Sequence, residues 1–197
     1  MQKSANTLHP IHPLLTERWS PRAFDPSPLD RDTVASLLEA ARWAPSSMNE
    51  QPWSLLVATL DEPEEHARMV EHLMPMNQTW AKSAPLLIIT VAHERFSRND
   101  QPNRHAWHDV GLATAMLMVE ATARGLHTHA MGGILYDRIR ETYGLPEGFS
   151  PVAALAVGRM GDAEALPEPL RERERAPRTR KEPASFQFTG AWGRSRS

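Results

Sequence analysis

Eight consecutive residues set the first condition on the fold. Pro85-Leu86-Leu87-Ile88-Ile89-Thr90-Val91-Ala92 runs apolar without alternation. A strand of that kind has no face to offer water, so it belongs near the middle of a sheet covered on both sides. Residues 53–59 and 152–158 read as further core strands, short and apolar. Leu126-His127-Thr128-His129-Ala130 is a short extended piece. The covering layers come from segments with helical period. Residues 12–18 form a short helix with Pro13 in its first turn. Asp30 or Asp32 caps a run carrying Val34, Leu37, Leu38 and Ala41. A third helix starts at Asp61-Glu62-Pro63-Glu64, its acids favourably at the N-terminus, and runs toward Met74. Its apolar face is Met69, Val70 and Leu73, with His66, Arg68, Glu71 and His72 expected in solvent. Residues 75–84 read as a loop. Residues 105–125 form a long helix, apolar over most of its circumference, which suits a core or a subunit interface. Asp137 opens a last helix that Gly144 and Pro146 stop.

Composition narrows the class. At 197 residues a single domain over 1–197 is the default, with residues 1–11 flexible and 160–197 an extension poor in apolar residues. The formal charge of −2 gives no pull toward nucleic acid or an anionic membrane. The absence of cysteine removes disulfides, thiolate chemistry and cysteine metal sites. No apolar run precedes Pro10, so no signal peptide is expected, and none reaches the roughly 18 residues of a membrane span. A cytoplasmic protein is the expectation.

Three stretches carry chemistry. Between helix and strand lies Pro45-Ser46-Ser47-Met48-Asn49-Glu50-Gln51-Pro52. Its hydroxyls and carboxamides offer uncharged donors and acceptors, which suits a planar heterocycle; the plain alternative is a helix stop with a turn. In Arg18-Trp19-Ser20-Pro21-Arg22 the residues 18, 20 and 22 alternate, so an extended chain turns two guanidinium groups and a hydroxyl to one side. Arginine grips phosphate bidentately; a surface strand with scattered arginines is the alternative. Gly132 and Gly133, after Met131, either let backbone approach a ligand or simply turn. Arg178 and Arg180 follow a mixed-charge run, Arg171–Lys181, in which Glu172 and Glu174 break any field for nucleic acid. His9 with His12, and His105 with His108 and Asp109, fall short of a metal site. No carboxylate pair, Ser/His/Asp pattern, phosphate-binding Gly-Lys-Ser/Thr loop or dinucleotide glycine fingerprint competes. The economical ligand is a mononucleotide with a polar aromatic ring.

The segments RWSPRAF, APSSMNEQPWSLLV, GLATAMLMVEATARGL, MGGI, AVGRMG and RTRKEP, in that order, resemble the FMN-dependent nitroreductase family over residues 12–193. The resemblance implies an α+β fold, a three-layer α/β/α sandwich with a mainly antiparallel central sheet and a C-terminal extension crossing to the partner subunit. It implies a homodimer with FMN at the interface, which would give the aromatic tail (Phe186, Phe188, Trp192) a surface to cover. Arg18 and Ser20, with Trp19 between them, would hold the FMN phosphate, completed by Arg178 and Arg180. Arg22 would face N1 and O2 of the flavin. Pro45, Ser46, Ser47 and Asn49 would line the ring from the other subunit, with Gln51 nearby. Met131, Gly132 and Gly133 would present backbone amides to N5 and O4. The implied activity is ping-pong hydride transfer from NADH or NADPH to a nitroaromatic, a quinone or a related small acceptor, with no metal and no catalytic acid–base residue. A specialised flavin enzyme of the same fold (dehalogenating, or fragmenting flavin) and a non-catalytic flavin carrier are the alternatives. Several family members carry an acidic residue where this chain has Gly132. The charged connection 93–104 is a candidate lid.

Overall fold

Strand β2 (Leu86–His93) lies inside a four-stranded sheet of order β1-β2-β4-β3, flanked by β1 (Trp53–Thr59) and β4 (Phe149–Gly158), with β3 (His127–Met131) on the far edge. Every neighbouring pair is antiparallel. The computed structural model describes residues 3–196. The unbroken apolar run sits where a two-faced strand must: Leu86, Leu87, Ile88 and Ile89 are all buried. Leu87, Ile89 and Val91 face one helical layer; Leu86 and Ile88 face the other.

The first layer is α3 (Pro63–Glu71), α4 (Pro75–Ala81) and α6 (Tyr136–Thr142), which contribute Met69, Trp80, Ala81 and Ile139. The second is α2 (Arg31–Arg42) and α5 (Ala106–Ala123), which contribute Leu37, Ala41, Ala113, Leu117 and Ala121. Each fully buried aliphatic side chain of this kind stabilises the fold by about 1.5–3 kcal/mol. The architecture is the expected α+β three-layer sandwich.

Three local expectations change. Residues 75–81 are helical rather than looped. Only Trp80 and Ala81 of α4 are buried, so Met-Asn-Gln-Thr ahead of them shows no apolar period. His66 and His72, expected in solvent, are buried. His66 Nε2 bonds the Ala84 carbonyl at 2.8 Å; His72 bonds the Arg68 carbonyl through Nδ1 and the Thr142 hydroxyl through Nε2. Within the C-terminal extension, α7 (Glu168–Arg175) packs on its own chain. Its buried residues are Leu170 and Glu174, in line with Leu166 just ahead of the helix, while Glu172, Arg173 and Arg175 stay in solvent.

Beyond α7 the tail folds on itself. Phe188 bridges Ser195, and the Phe188 and Trp192 rings meet at 5.1 Å. Trp192 is 93% exposed and Phe186 57%. On α5, Trp107 and Met116 are likewise open to solvent, so part of its apolar circumference has no cover within this chain.

Candidate cofactor site

The segment 18–24 is extended, and its alternation holds. Trp19, Pro21 and Ala23 are buried, and Arg18, Ser20 and Arg22 lie half-buried on the opposite side. Trp19 therefore anchors the segment rather than sharing the arginine face: its ring meets His127 edge-on, with the Lys3 ammonium 4.9 Å from its centre. Arg18 Nη1 donates to Ser20 Oγ at 3.2 Å.

Three outside groups fix this strap. His129 on β3 donates from Nδ1 to the Pro21 carbonyl at 2.8 Å, and its ring packs on Trp80. Burial pushes the His129 imidazole down to about 4, so it is neutral in ordinary buffers. Arg178 donates from Nη1 to the carbonyls of Lys3 and Thr16, each at 2.7 Å, and from Nη2 to that of Arg18 at 2.9 Å. Glu174 accepts from the Arg22 N–H through both carboxylate oxygens, at 2.9 and 3.0 Å.

The charge left over is positive. Burial holds the Arg18 guanidinium below its ordinary pKa, and the like charges of Arg178 and Arg180 add to the effect. Among the described residues, no carboxylate forms an ion pair with Arg18, Arg178 or Arg180. Crowded cations without an acid make a receptor for an anion with several oxygens. Arg178 contributes charge, but its fork is committed to backbone carbonyls. Among the described residues, the Arg180 guanidinium bonds only the neighbouring Thr179 carbonyl, and the residue is exposed.

β3 carries the chain from His129 to the double glycine. The Gly133 carbonyl accepts from Met74 N–H at 2.9 Å and Asn77 Nδ2 at 3.1 Å, and the Gly132 carbonyl accepts from Tyr136. Among the described residues, the Gly132 and Gly133 N–H groups donate to no protein acceptor. A Cβ at Gly133 would lie 2.8 Å from Asn77 Nδ2, whereas one at Gly132 would meet nothing within 4 Å. Buried Met131 ends the strand.

The 45–51 loop is elsewhere. It feeds β1, on the opposite edge of the sheet from β3. Three strand spacings separate those edges, about 14 Å. Within one chain, then, the arginine strap lies against β3, the strand that leads to the double glycine, and Pro45, Ser46, Ser47, Asn49 and Gln51 lie toward the other edge. The loop is nonetheless firmly held. Met48, Asn49 and Gln51 all have φ between 53° and 57°. Non-glycine residues rarely adopt this left-handed form, so neighbours must hold it. The Ser46 hydroxyl accepts from Gln51 N–H at 3.0 Å, and Gln51 Nε2 donates to the Asn49 carbonyl. Asp109, only 2% exposed at the start of α5, accepts from Ser47 N–H at 2.9 Å. His108 bonds the other Asp109 oxygen. Glu50 accepts from Ser97 N–H, which ties the loop to the 93–104 connection. That connection is a small hairpin, with Arg95 bridging Pro102.

Sequence reasoning missed Glu174, His129 and Asp109 as site-builders. Glu174 had a faint signal, as a carboxylate four residues after Leu170 on an apolar line. Asp109 had one too, lying four residues ahead of Ala113 on the buried face of α5.

The nitroreductase family model matches residues 15–159. A solved structure described as an oxidoreductase containing FMN superposes with a TM-score of 0.90 at 38% identity, covering 95% of each chain. The putative NAD(P)H nitroreductase YdgI of Bacillus subtilis is 29% identical, covering 76% of this chain and 88% of its own. An uncharacterised 15.4 kDa protein of Mycolicibacterium smegmatis is 34% identical over 68% of this chain and 88% of its own length. The fold is the α/β/α sandwich described above, and the chain belongs to the nitroreductase family.

Proposed function

We propose that this protein is an FMN-dependent oxidoreductase that moves hydride from NADH or NADPH to a nitroaromatic, a quinone or a similar small acceptor. Bound FMN supplies the two-electron chemistry, taking hydride from the nicotinamide and passing it to the acceptor. The observation that carries the reading is the cluster of Arg18, Arg178 and Arg180, free of any carboxylate partner among the described residues, on the same sheet edge as two N–H groups that find no acceptor among them. The cluster fits a phosphate. The Gly132 and Gly133 amides fit the acceptor atoms N5 and O4 of a flavin, reached closely because no Cβ intervenes.

The residues divide the work as follows. Arg18, Ser20 and Arg180 hold the phosphate, and Arg178 adds charge while bracing the strap. Arg22 sets a fixed cation at the N1 and O2 side, where reduced flavin carries negative charge. The partner subunit brings its own copy of the 45–51 loop over the ring, since within one chain that loop lies at the other sheet edge. Two cofactors sit at the interface of a homodimer, and the tail from residue 183 onward covers partner surface. The protein needs no acid–base side chain of its own. Donor and acceptor use one exposed face in turn, which gives ping-pong kinetics. A cytoplasmic location, with NAD(P)H at hand, completes the reading.

The test is a visible spectrum followed by anaerobic titration with NADH and then NADPH. A yellow protein bleached by either nicotinamide, and recoloured by a quinone, is the expected result. A colourless protein that takes up no added FMN overturns the reading.

A further inference from the structure

Glu174 is a buried carboxylate held against the strap. It lies on α7, fifteen residues past the end of the matched family region, and is 3% exposed. Besides the paired bond from Arg22 N–H, it accepts from Ala23 N–H at 3.3 Å. Its Oε2 stands 4.0 Å from Arg22 Nη1. The charges facing it are Arg22 from the strap and Lys3 from the N-terminal segment, whose ammonium also donates to the Glu174 and Ala176 carbonyls. Arg173 on α7 acts on Arg22 as a further like charge. One side chain thus grips the main chain of Arg22 and tempers the charge of its guanidinium.

We infer that Glu174 is a positioning residue that fixes where the Arg22 cation stands and how strongly it acts on the bound cofactor. The inference rests on the FMN reading above. A buried carboxylate with two successive N–H groups and a guanidinium has no freedom to relax, so the strap is pre-set before cofactor arrives. Its negative charge offsets part of the Arg22 field, which lowers the potential of the bound flavin relative to an unopposed arginine. The C-terminal extension therefore takes part in tuning the site of its own chain.

The experiment compares wild type, Glu174→Gln, Arg22→Gln and the double variant. FMN affinity is read by fluorescence titration, midpoint potential by dye equilibration and the apoprotein melting temperature by calorimetry. Glu174→Gln keeps an acceptor oxygen and removes the charge. Its bound flavin is expected at a more positive potential than wild type, and the shift is expected to fall by half or more in the Arg22→Gln background. No shift, or an equal shift in both backgrounds, overturns the inference; a lower melting temperature alone marks a structural role and overturns it as well. Glu174→Asp is the second variant. It keeps the charge but falls one methylene short, and roughly threefold or greater loss of FMN affinity is expected. Unchanged affinity there overturns the claim that Glu174 pre-sets the strap. Wild type that binds no FMN removes the parent reading too, whereas binding wild type with indifferent variants removes this inference alone.

Discussion

The Arg18 guanidinium sits among like charges and, among the described residues, donates only to a serine hydroxyl, an unfavourable place for a cation until an anion joins it. Arg18→Ala is therefore expected to weaken FMN retention by about 1.5–3 kcal/mol, one charge-assisted contact, in a calorimetric titration. His129 gives a second, independent prediction. Its folded pKa of about 4 lies below the ordinary 6.5, so the unfolded chain binds the extra proton. The contribution is whole above about pH 6.5 and is lost as pH falls toward 4, at most about 3 kcal/mol. Denaturant midpoints across that window should show the loss, and a His129→Gln protein should show a shallower slope. The side on which Arg18, Ser20 and Arg22 stand was legible, because a two-residue period is geometry. Their braces were not. Glu174 and His129 act across 152 and 108 residues of sequence, and no spacing rule links them to the strap.

At the scale of elements, the 45–51 loop and the double glycine are the two places where the proposed site would bring backbone close to the cofactor. The loop holds three side-chain-bearing residues in the left-handed region, and Asp109 is its brace. Asp109→Ala leaves Ser47 N–H without its acceptor and is expected to cost about 1.5–3 kcal/mol in urea unfolding. FMN affinity should fall with it. The glycines separate cleanly. Gly132→Ala should leave stability within about 0.5 kcal/mol, because the added methyl meets open space. Gly133→Ala should lower it by about 1–3 kcal/mol, because the methyl displaces Asn77 from the carbonyl it holds. Thermal melts of the two variants, side by side, check both. Core strands and long helices were readable from their periods. Helix α4 was not, since the packing of its own Trp80 against Phe24 and His129, rather than any periodic pattern, holds it. The buried state of His66 and His72 was hidden for a similar reason: their partners are backbone carbonyls and a hydroxyl on α6.

For the whole molecule, the sheet keeps the 45–51 loop and the arginine strap on opposite edges, so the proposed FMN site takes two chains to complete. Sedimentation should give twice the monomer mass. Mixing an Arg18→Ala chain with an Asn49→Ala chain should restore one unmodified site in each hybrid dimer, seen as high-affinity FMN uptake by the isolated hybrid at half the wild-type stoichiometry. Failure to regain any such sites would place the whole cofactor on one chain. The uncovered Trp107, Met116 and Trp192 are the apolar surface such an assembly would enclose. Among the described residues no helix is long and apolar enough to cross a membrane.

The guanidinium of Arg178 bonds Lys3, Thr16 and Arg18 at once, so a residue near one end of the molecule fastens the other. The two termini behave as a buckle. A chain trimmed to stop at residue 176 would free its leading segment as well as its trailing one, and protease should nick ahead of residue 18 in that shortened form while sparing the same peptide bonds in the full-length protein.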